Sequence, residues 1–136
     1  MSNTIGIALS GMTAETRRVE ASASNLANAR TRGALAPMGN ERAPYTPITT
    51  SQSDVRGAGG QGTGTQAVFR PMDKPFVAEY DPSSPDADSD GMVGAPNVDP
   101  EKEFTQQILA SRAYKANASV IRTTDEMARD LMKITA

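Results

Sequence analysis

The chain has 136 residues, which suits a single domain, and its formal net charge at pH 7 is −2. It contains neither Cys nor His, which excludes disulfide bonds, thiolate chemistry and Ser-His catalysis. Its nearly balanced charge does not indicate a nucleic-acid partner. Leu, Ile, Val and Phe together make up only 21 residues, fewer than an independently folded domain of this length usually has. We therefore expect neighbouring subunits to supply much of the burial.

The N-terminus lacks the basic start and the long apolar stretch of a cleaved signal peptide. No apolar run in the chain is long enough to insert into a membrane. Gly57, Gly59 and Gly62 have the GxGxxG spacing of a dinucleotide-binding fingerprint. That fingerprint needs a strand before it and a helix after it, whereas these residues lie in a Gly/Thr/Gln tract that runs on into AVFR. From these features alone we expect a cytosolic protein that is not an enzyme and that holds no cofactor.

The first predicted element is a helix over residues 3–28. Its apolar side chains alternate at spacings of four and three, which is a heptad pattern kept for three repeats. The residues of this pattern are Ile5, Leu9, Met12, Thr16, Val19, Ala23 and Leu26. We expect the helix to end near Asn28, because Asn tolerates the left-handed conformation that ends helices. The small residues Gly6, Ala8 and Gly11 would allow another helix to approach closely.

The middle of the chain, residues 29–98, contains most of the Pro and Gly. The segment GAGGQGTGTQ is a flexible loop by composition. AVFR and PFVAEY have the composition of short strands, and PYTPITT is a third, edge-type strand because its prolines limit pairing. These patterns predict a small, partly irregular β unit.

An acidic run, DPSSPDADSDGMVGAPNVDP, closes the middle region. Asp86, Asp88, Asp90 and Gly91 match the first half of an EF-hand calcium loop, but Asn97 stands where the bidentate Glu should be. Prolines also occupy the places of the two flanking helices. One hypothesis is therefore a small calcium-dependent binding module that uses residues 86–97. The other is a solvated turn and connector that leads the chain from the β unit to the last helix.

The last predicted element is a helix over residues 99–135. Asp99 fits the N-cap position and Pro100 the first helical position. A second heptad pattern runs through Ala113, Asn117, Val120, Thr124, Met127, Leu131 and Ile134. A polar residue such as Asn117 on this seam is typical of positions that fix helix register. Phe104, Ile108 and Leu109 lie just off the seam, where they could pack against the middle region.

Together these elements predict a mainly α fold with a small β unit, in which the two long helices pair as a coiled-coil-like hairpin. The pairing could occur within one chain or between chains, and the shortage of core residues favours contacts between chains. The predicted helix-packing and assembly residues are Ile5, Leu9, Met12, Val19, Leu26, Ala113, Asn117, Val120, Met127, Leu131 and Ile134.

Both ends of the chain resemble a known family. ALSGMTAETRRVEASASNLANARTRG is similar to the N-terminal motif of flagellar rod and hook proteins, and NVDPEKEFTQQILASRAYKANASVIRTTDEMARDLMKI to their C-terminal motif. The family-motif residues are Asn25, Leu26, Asn28, Asn97, Val98, Arg112, Tyr114 and Asn117. Within the flagellar basal-body rod protein family, the short middle and its acidic run resemble proximal rod proteins of the C type.

The resemblance implies a structural subunit of the bacterial flagellar basal-body proximal rod, which assembles helically for motility. Residues 1–29 and 99–136 would form an inner layer of helices, and residues 30–98 an outer layer. Its partners would be copies of itself, other rod proteins and the flagellar type III export apparatus. The resemblance also implies export without a cleaved signal peptide and assembly in the periplasm, in place of the cytosolic location that composition suggests.

Overall fold

The computed structural model describes residues 2–135. The elements, in chain order, are α1 (Ser2–Ala27), β1 (Ile48–Arg56), β2 (Gly62–Pro71), β3 (Phe76–Tyr80), β4 (Met92–Pro96) and α2 (Pro100–Thr135). Two long helices thus flank two small two-stranded sheets, β1–β2 and β3–β4. This arrangement confirms the prediction of a mainly α fold with a small β content. Within residues 2–135, no helix contains a stretch apolar enough to cross a membrane.

The ends of both helices follow from local capping. The carboxylate of Asp99 accepts hydrogen bonds from the backbone N–H groups of Glu101 and Lys102, at 3.0 and 3.3 Å, as an N-cap side chain should. At the end of α1, the side-chain amide of Asn28 donates to the carbonyl oxygen of Ser24 at 3.0 Å. The same oxygen accepts a hydrogen bond from the backbone N–H of Asn28 at 3.1 Å, so Asn28 closes the last turn of α1 through both its backbone and its side chain.

Contacts divide the chain into two compact units, and unit 1 comprises Met1–Val19, Thr50–Val68 and Gln106–Ala136. In unit 1 the backbone N–H of Thr65 donates to the hydroxyl of Ser10 at 3.0 Å, which fixes β2 against α1. Gly64 has a φ of 147° there, and a Cβ atom on it would lie 2.4 Å from the Ser10 hydroxyl oxygen. Only Gly accommodates this close approach.

The loop within the segment GAGGQGTGTQ is shorter than the sequence predicted. Only the first five residues of the segment form the turn between β1 and β2, and the rest belong to β2. The Thr63 and Thr65 hydroxyls donate to the carbonyl oxygens of Val55 and Ser53 in β1, each at 3.0 Å. Cross-strand bonds of this kind favour strand pairing even where glycine is frequent. The prediction of a flexible loop over all ten residues was wrong for this reason.

Unit 2 comprises Glu20–Thr49 and Phe69–Thr105. Its sheet pairs β3 with β4 in antiparallel register, from Phe76 opposite Pro96 to Tyr80 opposite Met92. Gly33 forms an isolated bridge to Gly94, and a Cβ atom on Gly33 would meet backbone atoms at 2.3 Å.

The acidic run is only in part the connector that the sequence predicted between the β unit and the last helix. Its first half is the loop of the β3–β4 hairpin, and its second half contains β4, whose residue Val93 is fully buried. PYTPITT also differs from its prediction as a separate edge strand, because only its last three residues are paired, as the start of β1. Pro47 precedes that start, is buried, and accepts a hydrogen bond from the N–H of Met72 through its carbonyl group.

Candidate assembly surface

The buried side of the two helices carries small or polar side chains rather than large apolar ones. The buried helical residues of unit 1 are Ala8, Ala14, Glu15, Ala110 and Thr124, and those of unit 2 are Ala21, Ser22 and Asn25. Small side chains bury little area each, but they allow backbones to approach closely. Packing of the helices within each unit therefore depends on close approach of backbones more than on burial of large apolar side chains.

In unit 1 the two helices meet at a glycine. A Cβ atom on Gly11 of α1 would lie 2.8 Å from the side-chain nitrogen of Asn117 of α2. That nitrogen donates to the carbonyl oxygen of Ala113 at 3.0 Å, so the Asn117 side chain is held in place. The prediction that Gly11 allows close approach of a helix is confirmed, whereas a Cβ atom on Gly6 would meet no atom within 4 Å.

In unit 2 the side-chain amide of Asn25 connects α1 to the start of β1 and to the start of α2. Asn25 is 1% exposed, and its Nδ2 donates to the carbonyl oxygen of Ile48 and to the carboxylate of Glu103, both at 2.8 Å. Its Oδ1 accepts from the N–H of Ile48 at 2.9 Å and from the Tyr45 hydroxyl at 3.2 Å. Asn25 thus satisfies both backbone groups of the first residue of β1 and joins that strand to the start of α2.

The outward side of the helices carries the large apolar residues that the heptad patterns predicted. The exposed ones are Ile5, Leu9, Val19, Val120, Met127, Leu131 and Ile134, with exposed fractions between 37% and 81%. Met12, Leu26, Ala113 and Asn117 are half-buried. The structure therefore brings Asn117 to the helix contact but leaves most of the predicted apolar seam unburied within the chain.

Three further apolar residues of α2 do not lie where the sequence suggested. Phe104, Ile108 and Leu109 are 56%, 55% and 51% exposed, so they are not buried against the middle region. These residues extend the exposed apolar surface toward the N-terminal end of α2.

The family-motif residues occupy several different environments. Asn25 is buried, Leu26, Asn28 and Val98 are half-buried, and Asn97, Arg112 and Tyr114 are exposed. The side chain of Asn97 donates to the carbonyl oxygen of Lys74 at 3.0 Å, which fastens the end of the β3–β4 hairpin to the chain before it.

The carboxylates of the acidic run are engaged in local contacts. Asp88 Oδ1 accepts from the N–H groups of Asp90 and Met92, at 2.9 and 2.8 Å, which is a turn-forming pattern. Asp86 pairs with Arg42 at 3.0 Å. The loop is flanked by strands and not by the helices of an EF-hand, and no group of acidic side chains within residues 2–135 is placed to hold a metal ion. The turn interpretation is confirmed, and the calcium hypothesis is not supported.

An ion-pair cluster in unit 2 was not visible in the sequence. Arg32 contacts Glu79 at 2.6 Å and Asp81 at 3.1 Å, and these partners are 47 and 49 residues away. The Ser83 hydroxyl donates to Asp81 at 2.7 Å, and this bond, followed by the Ser83 backbone N–H and the Arg32 charge, lowers the pKa of Asp81 below its ordinary value. No local spacing could have linked residues so far apart.

Comparison with known proteins identifies the family. A family model described as "Flagella basal body rod protein" matches residues 5–34, and one described as "Flagellar basal body rod FlgEFG protein C-terminal" matches residues 89–134. The chain is 31% identical to the flagellar basal-body rod protein FlgC of Bacillus subtilis, across 97% of this chain and 96% of the relative. The chain belongs to the flagellar basal-body rod protein family.

Two more relatives show how far the similarity extends along the chain. The chain is 35% identical to FlgC of Salmonella typhimurium, across 92% of this chain and 90% of the relative. It is 32% identical to FlgC of Borreliella burgdorferi, across 97% of this chain and 95% of the relative. The similarity thus includes the middle region and not only the terminal helices. As a rod-family member the chain is a structural protein of the basal body and not an enzyme, which confirms that prediction and replaces the cytosolic expectation.

Proposed function

We propose that this chain is a structural subunit of the proximal rod and that it assembles helically with copies of itself and with other rod proteins. The observation that carries the proposal is the outward apolar side of α1 and α2. Leu9, Val120 and Met127 are 55%, 43% and 53% exposed although they belong to regular heptad patterns. Apolar surface of this extent on a soluble chain marks a contact with other proteins.

The outward apolar residues would be buried between subunits in the assembled rod. Burial of apolar surface contributes roughly 25 cal/mol per Å², which offsets the entropy lost when subunits become fixed. The terminal helices would pair as a coiled-coil-like hairpin and line the rod interior as an inner layer. On this proposal residues 1–29 and 99–136 form the inner layer and residues 30–98 the outer layer. The FlgC relatives that span nearly the whole chain support its place in the proximal rod.

We also propose that the chain reaches the rod through the flagellar type III export apparatus, without cleavage at its N-terminus. The N-terminal helix carries residues that this proposal needs in the mature rod, among them Ile5 and Leu9. Removal of the N-terminus during export would delete part of the assembly surface.

The test replaces an outward apolar residue by a charged one. Leu131 is 48% exposed, so Leu131→Asp should leave the fold and export intact. A carboxylate buried without a partner between subunits costs several kcal/mol, which is enough to prevent incorporation. We expect the variant to be exported, to be missing from isolated basal bodies, and to abolish swimming.

The matched control is Leu131→Met, which keeps the apolar volume of the side chain. This control should incorporate and support swimming at the normal level. Swimming by cells that contain only Leu131→Asp would show that the outward side of α2 is not an assembly surface.

A further inference from the structure

Unit 1 contains a groove in which the carboxylate of Glu15 has an oxygen without a hydrogen-bond donor. The groove is open, has a volume of about 410 Å³, and its polar lining comes from Ser10, Glu15, Gln52, Thr65 and Asn117. Glu15 is only 8% exposed, and its Oε2 makes no hydrogen bond in the described structure. Among the described residues it forms an ion pair with Arg18, whose nitrogen lies 3.6 Å from this oxygen, beyond hydrogen-bond range.

Among the other polar groups of the groove, the side-chain oxygen of Asn117 is a second acceptor without a donor in the described structure. The Ser10 and Thr65 hydroxyls and the Gln52 amide all take part in hydrogen bonds within unit 1. Asn117 donates from its nitrogen to Ala113, and no hydrogen bond to its Oδ1 is found among the described residues. The groove lining therefore includes a carboxylate oxygen that is shielded from solvent and an amide oxygen, and neither has a hydrogen-bond donor among the described residues. A group that satisfies both must be a donor, and the charge of Glu15 favours a cation.

The same unit carries a pair of basic side chains without acidic partners. In α2, Arg122, Arg129 and Lys133 each have an acidic partner three or four residues away. Arg112 and Lys115 have no acidic residue at those spacings, and neither takes part in an ion pair within the described chain. Like charges three residues apart on a helix repel each other. This pair would gain from a carboxylate supplied by another molecule.

We propose that the Glu15 groove of one subunit receives the Arg112 side chain of a second copy of this chain, with Lys115 beside it. The guanidinium group presents several donors in a planar fork, so it can bond to the Glu15 carboxylate and the Asn117 oxygen at once. Ile108 and Leu109, exposed one turn before Arg112, would add apolar contact. This inference rests on the proposed rod function and identifies one contact between its subunits.

The geometry of this contact fits an open assembly. The groove and the Arg112–Lys115 pair are different surfaces of the same chain, so each copy can give its basic pair to one neighbour and its groove to another. Such a heterologous contact adds subunits in a helical or ring-like series rather than closing a two-fold dimer.

The absence of Cys from the chain allows a clean proximity test. Gly62 lines the groove, and a Cβ atom on it would meet nothing within 4 Å, so Gly62→Cys fits without strain. Ala116 is exposed and lies one turn after Arg112. Cells would produce two copies with different tags, one with Gly62→Cys and one with Ala116→Cys. We expect isolated basal bodies to contain a disulfide-linked product with both tags.

The control for proximity is Thr123→Cys in place of Ala116→Cys. Thr123 is also exposed on α2, but it lies about 10 Å further along the helix. A disulfide needs Cα atoms within about 7 Å, so the control should give little or no product. Equal products from both positions, or none from either, would overturn the inference.

The dependence of the proposed contact on charge is tested in chains without the Cys substitutions. Glu15→Gln and Arg112→Gln should each lower the amount of the chain in basal bodies by roughly tenfold, and the double variant should lower it no further. Glu20→Gln, at an exposed position on the same helix, should leave the amount unchanged. Because Arg112 is exposed, its substitution tests the contact without disturbing a buried group.

The outcomes separate this inference from the proposed function. If the unmodified chain is present in basal bodies but neither the disulfide nor the charge dependence is found, only the inference is wrong. A disulfide from Gly62→Cys to a different rod protein, and none to a second copy, would also overturn it. If the unmodified chain is missing from basal bodies, the proposed function is wrong and the inference with it.

Discussion

On α1, Ala14 is 1% exposed, whereas Leu9, on the other side of the helix, is 55% exposed. On α2, Ala110 and Ile108 show the same contrast, with exposed fractions of 1% and 55%. In both helices the small side chains are buried within the chain and the large ones face outward. A globular domain normally has the opposite distribution, because large side chains contribute more free energy when buried. This distribution is the one that the proposed assembly requires, because the largest apolar side chains remain available for contacts with other subunits.

The strongest test of the buried side is Asn25→Ala. The substitution removes four hydrogen bonds and leaves the N–H and C=O groups of Ile48 without their side-chain partner. Each buried polar group left unpaired costs about 1–3 kcal/mol, so we expect unfolding of the isolated chain to become easier by about 3 kcal/mol. Urea unfolding followed by circular dichroism measures this change.

The matched control for Asn25→Ala is Asn28→Ala. Asn28 lies one turn later, is half-buried, and bonds only within its own turn. We expect its loss to cost about 1 kcal/mol, as for other capping side chains. Equal costs at the two positions would mean that the Asn25 contacts do not organise unit 2.

A pair of glycine substitutions tests the helix contact of unit 1. Replacement of Gly by Ala within a helix normally stabilises it by up to about 1 kcal/mol. Gly6→Ala should show this gain because its Cβ atom meets nothing, whereas Gly11→Ala should lose it because its Cβ atom would clash with Asn117. We expect the two variants to differ by about 1–2 kcal/mol in free energy of unfolding.

The double variant Gly11→Ala with Asn117→Ala removes the atom that causes the clash. It should recover most of the loss seen for Gly11→Ala alone. Similar stabilities for Gly6→Ala and Gly11→Ala would show that α1 and α2 are not in close contact at this point.

The sequence predicted both helices well because their signals are local. The Asp99-Pro100 start and the heptad spacing placed α2 within one residue of its observed bounds, and α1 was also correct within one residue at each end. The heptad periodicity could not show which surface each face of the two helices contacts. A heptad pattern marks an apolar stripe, but it does not say whether that stripe meets the same chain or another. The buried stripe of Ala, Ser and Asn has no comparable signal.

The elements that the sequence missed depend on contacts far apart in the chain. The strand β4, Met92–Pro96, contains a Gly and a Pro within five residues, which argues against a strand on local grounds. It forms because it pairs with β3 and because Gly94 bridges to Gly33. Asn25 was noted only through resemblance to a family motif. Its physical role required knowledge that Ile48 and Glu103 lie beside it.

A smaller effect is expected at Asp81, and it should depend on pH. The Ser83 hydroxyl, the Ser83 N–H and the Arg32 charge lower the pKa of Asp81 below 3.8 in the folded chain. A lowered pKa means that the ionised form stabilises the fold above pH 3.8, and that this contribution is lost as the pH falls through the lowered pKa. Asp81→Asn should therefore be less stable than the unmodified chain near neutral pH.

Thermal unfolding of both chains between about pH 6 and about pH 2 measures this effect. The difference in melting temperature should shrink as the pH falls, because the unmodified chain loses its advantage when Asp81 becomes protonated. Asp90→Asn is a control, since the Asp90 carboxylate is exposed in the same loop. A difference that stays constant across this range would mean that the Asp81 carboxylate does not act through its charge.

The smallest effect on the isolated chain is expected on the outward side, at Leu9→Gln. More than half of the Leu9 surface is exposed, and Gln keeps a similar length and helix propensity. Surface substitutions of this kind usually change the free energy of unfolding by less than about 0.5 kcal/mol. The same substitution should strongly lower the amount of the chain in basal bodies, because it places an amide where apolar contact between subunits is expected. A loss of more than about 1.5 kcal/mol in the isolated chain would instead mean that Leu9 is buried within the subunit, and the contrast between the two sides of α1 would be wrong.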